Sequence, residues 1–121
     1  MREIVIVEDE EDLIYIIGTV LGEEGYNVTK ASSAEEALLL CQTVRPDLII
    51  SDIKMAEMDG FDLLEKIKAI DTMKNVPFMF LTSLDDATAK TKGLELGATA
   101  YMTKPFDIDE LLQAIHKFAP L

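Results

Sequence analysis

Four places along the chain carry residue types that perform phosphoryl chemistry when brought together: Glu8-Asp9, Asp52, Thr82 and Lys104. Paired carboxylates supply hard oxygen ligands to Mg²⁺, which takes one or two of these and fills its other positions with water and phosphate oxygens. Asp9 and Asp52 suit such a site. An aspartate is also a nucleophile toward phosphorus, giving an acyl phosphate. Lys104 offers a compact charge on a long stem and Thr82 a hydroxyl donor, both suited to the equatorial oxygens of a transferring group. Asp52 is the candidate nucleophile because the others flank it.

Each of these residues has a plainer role when taken alone. Asp9 precedes a helical stretch and reads equally as an N-terminal cap or a partner of the helix dipole. The acids Glu10, Glu11 and Asp12 read as a solvated first turn. Asp52 could open a loop, Asp59-Gly60 reads as a turn, Lys104 as a surface lysine, Thr82 as a strand-end hydroxyl and Tyr101 as a half-buried aromatic. Their joint placement gives the functional reading its weight, and that placement depends on the elements between them.

Two kinds of apolar segment alternate from end to end. Continuous runs at Ile4 to Val7, Leu48 to Ile50 and Phe78 to Leu81 have the pattern of strands buried on both faces of a parallel sheet, with weaker runs at Tyr26 to Thr29 and Ala100 to Met102. Between them lie helical spacings: Leu13, Ile16, Ile17, Val20 and Leu21; Ala34, Ala37, Leu38 and Cys41; Leu64, Ile67 and Ile70; and Ile108, Leu111, Leu112 and Ile115. Ser33 to Glu36 reads as a capping box, Asp107 and Glu110 open the last helix, Gly25 and Gly97 suit helix C-termini, and Pro46 blocks continuation. The segment from Asp85 to Leu96 is the weakest helix, with Thr88, Thr91, Gly93 and a sparse apolar face.

Five strands alternating with five helices require right-handed crossovers and a parallel sheet covered on both sides, an α/β doubly wound fold. Ligands of such sheets bind outside the carboxyl ends of the strands. Glu8 and Asp9, Asp52, Thr82 and Lys104 are the residues that end or follow four of the strands.

With 121 residues the chain is expected to be one domain, 1–121, with no output domain. Its 11 basic and 23 acidic residues give a net charge of -12, which would repel nucleic-acid phosphates and anionic lipid heads. The start MREIVIVEDEED is neither a signal peptide nor a membrane span, so a cytoplasmic location is expected. Cys41 reads as a buried thiol, the methionines, including Met55, Met58, Met73 and Met79, as gap fillers, and His116 as a surface residue.

The segments IVIVEDEED at 4–12, DLIISDIKMAEMDGFDLL at 47–64, PFMFLTS at 77–83 and GATAYMTKPF at 97–106 resemble, in order and spacing, the motif blocks of response-regulator receiver domains of two-component signalling. The resemblance covers essentially the whole chain. It implies a flavodoxin-like five-stranded sheet of order 2-1-3-4-5. It implies Asp52 as phosphoacceptor, with the phosphoryl group coming from a histidine kinase or phosphotransfer protein. Mg²⁺, with Mn²⁺ as a substitute, would be held by Asp9, Asp52, the backbone carbonyl of Lys54 and, through water, Glu8. Lys104 and Thr82 would hold the phosphoryl group. Thr82 and Tyr101 would act as switch residues that repack the face of the fourth helix, fifth strand and fifth helix, and so engage a downstream protein or linked output domain. A cis Lys104-Pro105 bond is implied as well. Lys54 and Leu84 occupy the positions that tune phosphoryl lifetime. Three departures stand out: Ala56 where proline is usual, Thr99-Ala100 in place of an acidic pair before the tyrosine, and Glu8 for the commoner aspartate.

Three other functions fit parts of the pattern. A Mg²⁺-dependent phosphatase with an aspartyl nucleophile would want a second acid two residues after Asp52, where Lys54 stands. A flavin carrier would want Gly, Ser or Thr after the first strand, where the chain is acidic. A docking module that takes no phosphoryl group would not need the full residue set. The expected protein is therefore a signalling phosphoacceptor with self-phosphorylation and self-dephosphorylation chemistry, rather than a conventional enzyme.

Overall fold

The computed structural model describes residues 2–84 and 86–121. Among these residues, five strands alternate with five helices: β1 Glu3–Val7, α1 Glu11–Glu24, β2 Asn27–Ala31, α2 Ala34–Leu40, β3 Leu48–Ser51, α3 Gly60–Lys68, β4 Phe78–Thr82, α4 Ala87–Glu95, β5 Ala100–Thr103 and α5 Ile108–Phe118. All strand pairs are parallel and the order is β2-β1-β3-β4-β5.

The period-2 alternation of a strand explains why the runs are continuously apolar. Ile4 and Ile6 of β1, Leu48 and Ile50 of β3, and Met79 and Leu81 of β4 point to one side. There they pack with Ile17 and Leu21 of α1 and Leu111 and Ile115 of α5. Val5, Val7, Ile49, Phe78 and Phe80 point to the other side, against Ala34 and Ala37 of α2, Leu63, Leu64 and Ile67 of α3, and Ala89 of α4. Two cores back to back leave no polar face on the central strands, whereas edge strand β2 is buried only at Ala31. Cys41 is buried, as expected, and burial pushes its thiol pKa up.

Several expectations need correction. Ile16 is 49% exposed, because α1 buries the stripe of Ile17, Gly18 and Leu21. Ser33 caps α2 by accepting from the Glu36 N–H, but the Glu36 carboxylate accepts from Ser32, so the reciprocal bond falls one residue early. The full capping box occurs at Asp59 and Asp62, which makes Asp59-Gly60 the start of α3 rather than a separate turn. His116 lies at the surface, as expected, where its Nδ1 lies 3.0 Å from the Tyr26 hydroxyl and its Nε2 lies 3.1 Å from Glu24. The fourth helix begins at Ala87, and the expected start at Asp85 lies outside the described residues.

Gly25 and Gly97 end their helices at φ 103° and 107°, the left-handed region that favours glycine. Gly60 is constrained by space instead. A Cβ there would lie 2.2 Å from the Asp52 carbonyl oxygen and 2.8 Å from Ile53 Cα, so α3 starts directly against the backbone that carries Asp52.

Gly60→Ala should lower stability by roughly 1–3 kcal/mol through this overlap. Gly22→Ala, where nothing lies within 4 Å, should raise it by about 0.5–1 kcal/mol. Urea unfolding of both variants checks the pair, and equal effects would contradict the packing described.

Candidate functional site

Strand pairing continues one residue past the ends of β1, β3 and β5. Glu8 N–H donates to Ala31 O at 3.0 Å, Asp52 N–H to Val7 O at 3.0 Å and Lys104 N–H to Thr82 O at 2.8 Å. These bonds extend the sheet register to the chemical residues and bring Glu8, Asp52 and Lys104 to one edge.

There the Lys104 ammonium donates to Glu8 Oε1 at 2.7 Å and to Asp52 Oδ2 at 3.0 Å, and it lies 3.6 Å from Glu10 Oε1. The side chains of Glu8, Asp52 and Lys104 are 4%, 6% and 13% exposed, so this charge cluster is largely dry. The other carboxylate oxygens are held as well: Asp52 Oδ1 accepts from Ile53 N–H at 2.6 Å, and Glu8 Oε2 from Glu10 N–H at 3.1 Å. Among the described residues no buried side-chain N or O atom is left without a partner.

Burial pushes the Glu8 carboxyl above its ordinary pKa, against the opposing pull of the Lys104 hydrogen bond. Burial acts on Lys104 in the lowering direction, but its hydrogen bonds to Glu8 and Asp52 outweigh this and hold it above the usual lysine value. Lys104 is therefore a firmly charged ammonium at neutral pH.

The carboxylate oxygens of Glu8, Glu10 and Asp52 lie within 4.8 Å of one another, a donor set of the hard oxygen type that divalent cations take. Asp9 is exposed and lines an adjoining cleft of about 610 Å³ together with Lys54, Leu84 and Phe61. Glu10, expected to be only a solvated acid, thus belongs to the cluster. Its approach depends on the turn between β1 and α1, which spacing does not report.

Thr82 is fully buried at the end of β4, and its Oγ1 accepts from Leu84 N–H at 3.3 Å. The Tyr101 hydroxyl donates to Leu84 O at 2.5 Å. The two residues thus hold opposite sides of one backbone unit in the loop after β4. Lys104-Pro105 is cis.

The profile of the response regulator receiver domain matches residues 4–116. The chain belongs to that family. This receiver domain is 34% identical over 120 residues to sporulation initiation phosphotransferase F of Bacillus subtilis, covering 99% of this chain and 95% of that protein. It is 38% identical over 110 residues to the Bacillus subtilis alkaline phosphatase synthesis transcriptional regulatory protein PhoP, covering 91% of this chain and 45% of that longer protein. Among solved structures, a chemotaxis response regulator of Vibrio cholerae aligns with TM-score 0.93 at 30% identity over 98% of each chain. The non-phosphorylated HemR receiver domain of Leptospira biflexa aligns with TM-score 0.89 at 33% identity, over 98% of this chain and 94% of that one. The expected family, fold and strand order are all borne out, and the chain is a receiver domain of two-component systems. Among its described residues no helix is long and apolar enough to cross a membrane.

The raised Glu8 pKa fixes a sign for pH dependence. Just above the ordinary value of 4.5 the folded receiver still binds a proton that the unfolded chain has released, so stability falls as pH rises through this window. Glu8→Gln removes that slope. Urea unfolding should show wild type losing stability relative to Glu8→Gln from about pH 4.5 toward neutrality, and a pH-independent difference would contradict it.

Proposed function

We propose that Asp52 accepts a phosphoryl group from a histidine kinase or phosphotransfer protein in a Mg²⁺-dependent reaction, and that this changes a partner-binding face. The observation that carries the reading is the buried Lys104 ammonium hydrogen-bonded to both Glu8 and Asp52. Such a charge stands where the equatorial oxygens of a transferring phosphoryl group gather negative charge.

In the transfer an Asp52 oxygen forms a bond to phosphorus as the donor's phosphorus–nitrogen bond breaks, and the pair of electrons stays on the departing imidazole nitrogen. Lys104 keeps one donor on the phosphoryl oxygens and orients the carboxylate. Thr82 Oγ1 leaves its 3.3 Å contact with Leu84 N–H, a long bond, and its hydroxyl donates a hydrogen bond to another phosphoryl oxygen. Its departure frees one side of the Leu84 backbone, whose other side Tyr101 holds, and so reaches the face of α4, β5 and α5. Attack of water on the acyl phosphate resets the domain.

The donor set fits a divalent cation. Asp9, Asp52, the Lys54 carbonyl and, through water, Glu8 would hold it, with the clustered Glu10 carboxylate beside them. When bound, Mg²⁺, or Mn²⁺ in its place, supplies charge compensation for the phosphoryl oxygens. We assign the chain to the cytoplasm, as a phosphoacceptor domain with residues 1–121 forming the receiver. Its downstream target is a separate protein or a covalently linked output domain. Binding of nucleic acid by the domain itself is opposed by the net charge of -12.

Incubation with acetyl phosphate should add one phosphoryl group, read by intact-protein mass, only with Mg²⁺ present and not in Asp52→Asn. Labelling of Asp52→Asn would move the phosphoacceptor away from Asp52, and no labelling of wild type together with no beryllofluoride adduct would favour docking without phosphorylation.

A further inference from the structure

Phe61 and Lys92 also line the cleft beside the charge cluster, and they make a contact that the phosphoryl chemistry does not use. Lys92 of α4 places its ammonium 4.5 Å from the centroid of the Phe61 ring of α3. Phe61 is itself tied to the phosphoacceptor: it follows Gly60, which lies against the Asp52 carbonyl and donates its N–H to Ile53 O at 2.8 Å. Its ring stands edge-on to Phe80 at 5.5 Å, and Phe80 stands edge-on to Tyr101 at 6.0 Å. A chain of aromatic contacts thus runs from the start of α3, under α4, to the aromatic residue of β5.

Helix α4 sits on this chain with little to hold it. Its buried residues are Ala89 and Gly93, and Leu94 is 44% exposed. At Gly93 the Phe80 ring comes within 3.1 Å of where a Cβ would lie and Tyr101 within 3.5 Å, so the helix backbone rests on the two rings with no side chain to key it in place. Two small residues bury little apolar area, and hydrophobic stabilisation scales with that area. Lys92, the neighbour of Gly93, therefore makes a contact that is large relative to the rest. A cation over an aromatic face at a partly exposed site contributes about two- to five-fold in an equilibrium between arrangements that keep and lose it.

We propose that Lys92 is a positioning residue of the switch. Its ammonium on Phe61 latches α4 to the start of α3 in the arrangement without a phosphoryl group. This rests on the reading of Asp52 as phosphoacceptor and of α4 as the element that shifts. By linkage, an interaction present in only one of two states opposes any ligand that favours the other. Removing the latch makes the phosphorylated arrangement easier to reach.

The test is a double-mutant cycle with Lys92→Gln and Phe61→Leu on the full chain, with Lys92→Arg as the conservative variant. Gln keeps the straight stem and a similar helix propensity. Two readouts are taken: amide hydrogen exchange of α4 without ligand, and the affinity for beryllofluoride at fixed Mg²⁺. Each single variant should speed α4 exchange and tighten beryllofluoride binding by about two- to five-fold, the double variant should add nothing further, and Lys92→Arg should behave as wild type. Comparing Lys92→Gln in the two backgrounds cancels the general pull of a lysine on an anion. If Lys92→Gln has the same effect in the Phe61→Leu background as in the wild-type background, the latch is overturned. If wild type binds no beryllofluoride, the phosphoacceptor reading fails, and the exchange cycle still decides the latch.

Discussion

One buried ammonium shared between carboxylates is the interaction on which the rest of this structure depends. Lys104 bonds Glu8 and Asp52 and approaches Glu10, so three carboxyl groups converge on one cation. Removing either side of a dry charge cluster leaves the other uncompensated, which costs several kcal/mol, whereas the intact cluster roughly offsets its own desolvation. The arrangement therefore makes little sense as a stabilising device. It makes sense as a preorganised field for a charged ligand, because dipoles and charges fixed in advance need no reorganisation at the moment of reaction.

The fold supplies that precision through backbone rather than side-chain packing. Glu8, Asp52 and Lys104 each extend the sheet ladder by one hydrogen bond beyond the strand ends, so their Cα positions inherit the register of β1, β3 and β5. Gly60 then lets α3 begin against Asp52 itself. Rigid strands below and a thinly packed α4 above divide the molecule into a part that must not move and a part that can. Thr82 and Tyr101 stand on the boundary, through the Leu84 backbone.

Much of this was legible in the sequence because parallel sheets write their chemistry at strand ends. The runs ending at Val7, Ile50 and Leu81 are long and apolar enough to locate the edge with Glu8, Asp52 and Thr82, whereas Lys104 follows the weaker run at Ala100 to Met102. What could not be read is whatever turns decide. Glu10 looked like a solvated acid since its approach to Lys104 depends on how the chain leaves β1. Asp59 looked like a turn residue because aspartate before glycine suits both a turn and a helix cap, and only the Asp62 side chain, reaching back to the Asp59 N–H, selects the cap. Ile16 was misplaced because two adjacent isoleucines both fit a helical spacing, and α1 buries the second. The contact of Lys92 with Phe61 joins residues far apart in sequence and leaves no local signal at all.

A charge cluster with more carboxylates than cations should be relieved by a divalent ion, and a ligand that binds only the folded state raises stability by mass action. Thermal unfolding with and without millimolar Mg²⁺, for wild type and Asp52→Asn at constant ionic strength, tests this most directly. The account predicts a melting temperature that rises with Mg²⁺ in wild type and rises much less in Asp52→Asn. A melting temperature indifferent to Mg²⁺, or one raised equally in both proteins, would contradict it.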